Sequence, residues 1–335
     1  MATPIWHDYT VDLGTTDGQA FTIYDKADNT GNVIYKGKAY IKPGQSHAYV
    51  KVNDICADYL AQKLSLSFVF TGYSYETFPG ALTFSCYKDS TFVASWTFYL
   101  NYEYKDSGTD KIKLRPNNPV TGRIMRGMPF CITRLYPSAS AAARLRLYAL
   151  PGSSSTTYNI DVQGSVNLWA KANNDSPDYD ITVAEYKDTT NSIDYNLALQ
   201  LIDKCHRYAL YYVNSMGGLD FLVIEGNWRM KDGYDRKTYK QTYDNGNLAN
   251  RGTVDYHNDI TRTWELHTGW LTDVQAGRMG DLLGSPLVFL CDCDDNYQLH
   301  PVTITNGDCP YKRYRKDGMV EYGINVELAR NITRR

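Results

Sequence analysis

Near the carboxyl end of this chain the hydrophobic and polar positions alternate without a fault. Val320, Tyr322, Ile324, Val326 and Leu328 fall on one side, and Glu321, Gly323, Asn325 and Glu327 on the other. A strict period of two predicts a strand with one buried and one wet face. Upstream, residues 287–291 are wholly apolar and predict a buried strand. Residues 292–296 then break the pattern as a turn. Residues 297–305 read as the return strand, with Pro301 placing it at an edge or a bulge. Asn306-Gly307 and Lys316-Asp317-Gly318 signal further turns on either side of the polar, aromatic stretch 311–315. Before these strands, Thr272 and Gln275 have the spacing of a capping box, which predicts a helix over 272–283. Val274, Met279, Leu282 and Leu283 make its apolar stripe. Gly284 is expected as a left-handed terminator and Pro286 blocks continuation. Gly277 and Gly280 are poor helix formers, which suggests close approach of another backbone.

The first half reads as many short strands, the pattern of an all-β sandwich. Residues 33–41 and 47–52 are expected to pair as a hairpin across Pro43-Gly44. Asn53 is placed to cap a helix over 54–63, and 64–70 reads as a strand. Residues 82–87 and 92–100 form a second hairpin around Lys88-Asp89-Ser90. Further strands are expected over 130–136, 145–150, 158–162 and 166–170, with a helical turn as the alternative at 141–143. Ser-rich 151–157 reads as a loop within the sandwich. The polar stretch 171–192 is taken as the domain boundary. Residues 193–202 fit both a strand and a helix. Residues 206–214 and 219–225 read as a hairpin joined by Ser215-Met216-Gly217-Gly218. Residues 227–261, with Asp244-Asn245-Gly246, read as a long excursion, a hairpin arm or an interface loop. The reading is therefore a mainly β protein: an N-terminal β-sandwich over 1–172 and a C-terminal β domain over 190–335 with one short helix and an arm at 227–261.

Composition narrows the function. The chain has 335 residues and a formal net charge of −2, so no basic excess points to nucleic acid. Tyrosine is in surplus, with 29 against 10 Phe and 6 Trp. Tyrosine suits half-buried sheet and interface positions, although it is also simply a good strand residue. Residues 1–13 lack the apolar core of a signal peptide, and no run approaches the length of a membrane helix. Use from the cytosol of the producing cell is expected. The cysteines, at 56, 86, 131, 205, 291, 293 and 309, do not form a disulfide framework. The Asn331-Ile332-Thr333 sequon is read as chance.

Trp264-Glu265-Leu266-His267-Thr268-Gly269-Trp270, the helix through Leu283, Leu287-Val288-Phe289-Leu290 and Tyr322-Gly323-Ile324-Asn325-Val326-Glu327-Leu328 follow one another in an order that resembles structural tail proteins of tailed bacteriophages. The order is similar to the split β-barrel module of tail-tube and distal-tail proteins. The stretch from Ala209 to Gly218 also resembles proteins of phages and prophages of gut Bacteroidetes. The resemblance covers the final 140 residues or so and implies a ring-forming virion part, assembled in the host cytoplasm. Its expected partners are copies of itself and other tail or connector proteins, with nucleic acid involved only indirectly. Ring subunits meet through heterologous contacts, which sheet edges and long loops supply. Tyr234, Tyr239, Tyr243 and Tyr256 are the candidate interface residues on the arm.

Candidate chemistry is sparse. Cys291-Asp292-Cys293-Asp294-Asp295 tempts as a metal site, with His300 as the nearby histidine, but zinc prefers a second pair and Thr303 stands where a calcium loop needs Glu. A hairpin turn is the preferred reading, and no cofactor is expected. No Gly-x-Ser-x-Gly elbow is present, and Cys205 and His206 would point to opposite faces of a strand. No enzymatic activity is expected. Arg229, Lys231, Arg236, Lys237 and Lys240, interleaved with tyrosines, resemble a nucleic-acid track, but Asp232, Asp235 and Asp244 dilute it. The alternative function is a carbohydrate-binding or host-receptor-binding β-sandwich, with a host surface glycan stacked on aromatic rings.

Overall fold

The computed structural model describes residues 2–4, 9–63, 77–79, 81–99, 121–125, 128–136, 144–149, 155–159, 164–171, 181–187, 192–202, 207–214, 219–242, 252–295, 297–306, 319–330 and 332–334. The protein is mainly β, with several antiparallel sheets. Its contacts separate it into two compact units, residues 1–203 with 213–220, and 204–212 with 221–335.

Unit 1 opens with β1 (Ala2–Pro4), β2 (Thr10–Asp12), β3 (Gln19–Tyr24), β4 (Val33–Ala39), β5 (Tyr49–Lys51), α1 (Asn53–Gln62), β6 (Thr77–Pro79), β7 (Ala81–Lys88) and β8 (Thr91–Tyr99). A five-stranded sheet runs β1-β8-β7-β3-β4, and β2 pairs β5 separately. The expected β7–β8 hairpin is present. Asp89 and Ser90 carry φ of 44° and 70°, the paired left-handed geometry that matches strand twist. The core joins Phe21, Ile23, Phe84, Trp96 and Phe98 of the sheet to Val11 of β2 and Cys56 of α1.

Two expectations fail here. Residues 33–41 and 47–52 do not pair with each other: β4 pairs β3, and β5 pairs β2. The turn chemistry at Pro43-Gly44 is real, with Gly44 at φ 84° and Gln45 N–H bonded to Lys42 carbonyl oxygen, but it redirects the chain to a distant strand. Asn53 does not precede the helix as a cap. It is the first helical residue, and Cys56 N–H donates to the carbonyl of Val52 instead.

The rest of unit 1 comprises β9 (Thr121–Met125), β10 (Pro129–Tyr136), β11 (Arg144–Ala149), β12 (Ser155–Asn159), β13 (Gly164–Lys171), β14 (Ile181–Lys187) and β15 (Ser192–Ile202). One sheet runs β10-β13-β6 and another β12-β11-β14-β15-β9. Residues 155–157 are strand rather than loop. Residues 171–192 enclose β14, hydrogen-bonded on both sides, rather than forming only a connection. Ile181-Thr182-Val183 carries enough β-branched residues to form a strand despite its polar flanks. The 193–202 segment resolves as strand. Expected features at 64–70, 141–143, 205–206, 244–246 and 311–318 lie outside the described residues.

Unit 2 holds β16 (Tyr208–Val213), β17 (Leu219–Val223), β18 (Trp228–Lys240), β19 (Thr253–His267), β20 (Leu271–Thr272), α2 (Asp273–Ala276), α3 (Met279–Leu283), β21 (Val288–Asp292), β22 (Gln298–Ile304), β23 (Met319–Val320), β24 (Gly323–Leu328) and β25 (Ile332–Arg334). Neighbours run β17-β16-β21-β22-β24-β19-β18, with β25 also on β19. β17 leads into β18 through residues 224–227. Ile224 N–H donates to Tyr208, Gly226 N–H donates to His267, and His267 N–H donates to Asn227, each to a carbonyl at 3.0 Å. Through residues 224–227 the chain therefore passes from pairing with β16 to pairing with β19. A bend is how a strand passes from one sheet direction to another.

Glycine makes that bend possible. A Cβ on Gly226 would lie 2.7 Å from the carbonyl oxygen of His267 and 2.9 Å from the amide nitrogen of Gly269. Gly269 has φ 73°, a conformation open to glycine at little cost. The strands enclose a core in which Leu266, Leu290, Ile324 and Val326 are inaccessible to solvent. The alternation over 320–328 matches it, with Val320, Tyr322, Ile324 and Val326 buried.

The helical segment packs Ala276, Met279 and Leu282 onto this core. Its capping box forms: Thr272 N–H donates to Gln275 Oε1 at 2.9 Å, and Gln275 N–H to Thr272 Oγ1 at 3.4 Å. The expected single helix breaks at Gly277-Arg278 into α2 and α3. Gly284 is not left-handed; its φ is −87°. Its N–H instead bonds to Gly280 and that of Ser285 to Leu282, so right-handed turns close the end. Pro301 lies on β22, which has neighbours on both sides. It stands where β24 has just ended: the terminal β22–β24 pair is Val302↔Leu328, so the missing N–H interrupts no ladder bond. No helix among the described residues is long and apolar enough to cross a membrane.

Candidate assembly surface

β18 and β19 form the arm. They pair from Trp228↔Leu266 to Lys240↔Thr253. Residues opposite one another in a ladder share a face. Trp228, Met230, Asp232 and Tyr234 therefore lie with Leu266, Trp264, Arg262 and Ile260. On β19 the apolar members of this face are buried. On β18 the same face is exposed. Thus the inner face of the sheet continues outward as a half-covered apolar stripe. Midway, the Arg262 guanidinium donates to both carboxylate oxygens of Asp232, at 2.8 and 2.9 Å, and ties the two strands together.

Support along the arm diminishes outward. β24 pairs residues 263–267 of β19, and β25 pairs 258–260. Beyond them, the outer side of β19 has no strand among the described residues, and the outer side of β18 has none along its whole length. The register slips once. Lys237 faces His257 and Thr238 faces Asp255, so Tyr256 is the extra residue of a β-bulge. Bulges increase local twist and re-aim side chains.

Of the expected interface residues, Tyr234, Tyr239 and Tyr256 are 56%, 48% and 55% exposed, too open to be core residues. The Tyr239 and Tyr256 ring centroids lie 6.2 Å apart, while Tyr234 stands farther down opposite Ile260. Tyr243 lies outside the described residues. Sequence reasoning passed over Trp228 and Met230, although their alternation with Arg229 and Lys231 is the signal of an apolar stripe.

It also passed over the clamp at the arm's base. Arg207 donates to the carboxylate of Asp292 at 3.0 and 3.3 Å and lies 3.7 Å from Asp294. The hydrogen bond from Asp292 raises the Arg207 pKa above its ordinary value. The guanidinium carbon lies 5.3 and 5.4 Å from the rings of Tyr208 and Trp228, which meet edge to face at 5.0 Å. A cation over two rings, with an acid holding it, joins β16, β18 and β21 at one point.

The Cys291-to-Asp295 cluster forms the end of a strand and a turn. Cys293 N–H donates to the Arg207 carbonyl, and Asp294 N–H to Asp292 Oδ1. The hydrogen bond with Cys293, and then burial, raise the pKa of the Cys291 thiol. His300 pairs with Leu290 and therefore lies on the opposite sheet face from Cys291, which pairs with Leu299. Among the described residues no group of three His, Cys, Asp or Glu side chains is placed to hold a metal. No protein-family model matches the chain, and no curated protein matches it.

Proposed function

We propose that this chain is a structural part of a phage virion, a ring-forming component of the tail or tail tip that works by assembly and makes or breaks no bond. The observation that carries the reading is the arm. Thirteen residues of β18 and fifteen of β19 extend as a ribbon with its outer strand edge and aromatic side chains open to solvent. Such an edge is a template for pairing with another chain, and natural proteins otherwise shorten or cover it. The resemblance of residues 264–328 to tail-module sequences supports the same reading. A virion location, with assembly in the host cytoplasm beside other tail or connector proteins, follows from it.

A glycan-binding reading calls for several rings gathered in one open groove. The exposed rings of the arm are instead strung out from Trp228 to Tyr256. The test is native mass spectrometry of the purified chain and of a variant with residues 233–261 replaced by a short turn. Closed multimers from the full chain and monomers from the shortened one are expected. Multimers from both would remove the arm from the seam. A full chain that stays monomeric and is retained on a glycan column would favour the alternative.

A further inference from the structure

The assembly reading leaves open which edges meet; the geometry points to a head-to-tail seam in which the outer edge of β18 in one copy receives the outer edge of β19, near residues 253–257, of the next. The inference rests on the assembly reading and commits it to one partner, a second copy of this chain. The ribbon has two open sides among the described residues: β18 along its length, and β19 beyond its pairing with β25. Two ribbons laid side by side in the same orientation place β18 antiparallel to the neighbour's β19. That is the pairing the ribbon already uses internally. Each copy then offers one edge and accepts the other, a heterologous contact that repeats and closes as a ring.

Charge selects this pairing over the symmetric one. The outer half of β18 carries Arg236, Lys237 and Lys240 against a single acid, Asp235. The open end of β19, residues 253–257, carries the exposed Asp255 and no Lys or Arg. In the head-to-tail seam, the register the ribbon already uses sets Asp255 of one copy opposite Thr238 of the next, with Arg236 and Lys240 diagonal to it on the same face. A two-fold β18-to-β18 seam centred on Tyr234 would run antiparallel and set Lys237 opposite the partner strand's Lys231, while the Asp232 it sets opposite Arg236 is already held by Arg262. Like charges directly opposite on a sheet are destabilising. The exposed tyrosines accompany the charges, with Tyr234 and Tyr239 on the β18 edge and the bulged Tyr256 on the other.

The experiment reverses one row at a time in the full chain. The first variant is Arg236→Glu with Lys237→Glu and Lys240→Glu; the second is Asp255→Lys. Each is measured by sedimentation velocity, with thermal unfolding followed to establish that each folds. Each variant alone is expected to lose the multimer, because both of its edges then carry the same sign. Mixed in equal amounts, they are expected to restore it, since each supplies the edge the other lacks. The restored multimer should weaken as salt is raised. Multimers persisting in both single variants would overturn the seam while leaving assembly standing. A mixture that stays dispersed while the wild-type chain assembles would overturn the head-to-tail pairing. A wild-type chain that never assembles would overturn both readings.

Discussion

At the residue scale, two glycines fix the bend between β17 and β18. Gly226 passes so near the 267–269 backbone that any Cβ meets atoms unable to turn away. Gly226→Ala is expected to destabilise the chain by about 1–3 kcal/mol, as overpacking does, with the loss read from chemical denaturation. Asp25 shows how a polar residue holds a turn in unit 1. Burial raises its pKa, but hydrogen bonds from Tyr59 Oη at 2.5 Å, from the Asn32 side chain and from the Asn32 N–H outweigh this and leave the pKa below the ordinary carboxylate value. A depressed carboxyl contributes stability above the ordinary value of about 3.9, and the contribution is lost as pH falls through the folded value. The stability gap between wild type and Asp25→Asn, from urea melts, should therefore shrink from pH 7 to pH 3. Burial pushes the thiols of Cys56 and Cys86 up to about 12 and about 11. Both stay protonated at neutral pH, where the thiolate is the reactive form. Iodoacetamide should label them only after unfolding, as read by peptide mass mapping.

At the element scale, local signals were legible where local chemistry decides. The alternation over 320–328, the Lys88-Asp89-Ser90 hairpin, the Thr272–Gln275 box and the long excursion as a hairpin arm all read directly from neighbouring residues. Thr272→Ala removes one half of the box and should cost about 1 kcal/mol in thermal or chemical unfolding. What the sequence concealed depends on partners far away in the chain. The turn at Pro43-Gly44 has the right residues for a hairpin, yet β2 and β3 supply the pairing surfaces. Gly284 looks like a left-handed stop, but Gly280 and Leu282 offer carbonyls that close the end without it. Gly226 has no local signature at all, because its need for glycine comes from the distant backbone of His267 and Gly269. The tyrosines of the arm were legible as candidates by position. Which side of the ribbon is open followed only from knowing where β24 and β25 stop.

At the scale of the whole molecule, the strands packed around the core of unit 2 continue into an open-edged ribbon, with the Arg207 clamp at its base. The ribbon leaves the outer edge of β18 without a strand neighbour among the described residues. Assembly by such an edge turns exposed amides into paired ones, and amide hydrogen exchange detects that change. The most direct measurement compares exchange over residues 229–240 in dispersed and assembled protein. These β18 amides are expected to slow sharply on assembly while those of core strand β24, such as Ile324 and Val326, change little. Equal exchange of the β18 amides in the two states would contradict it.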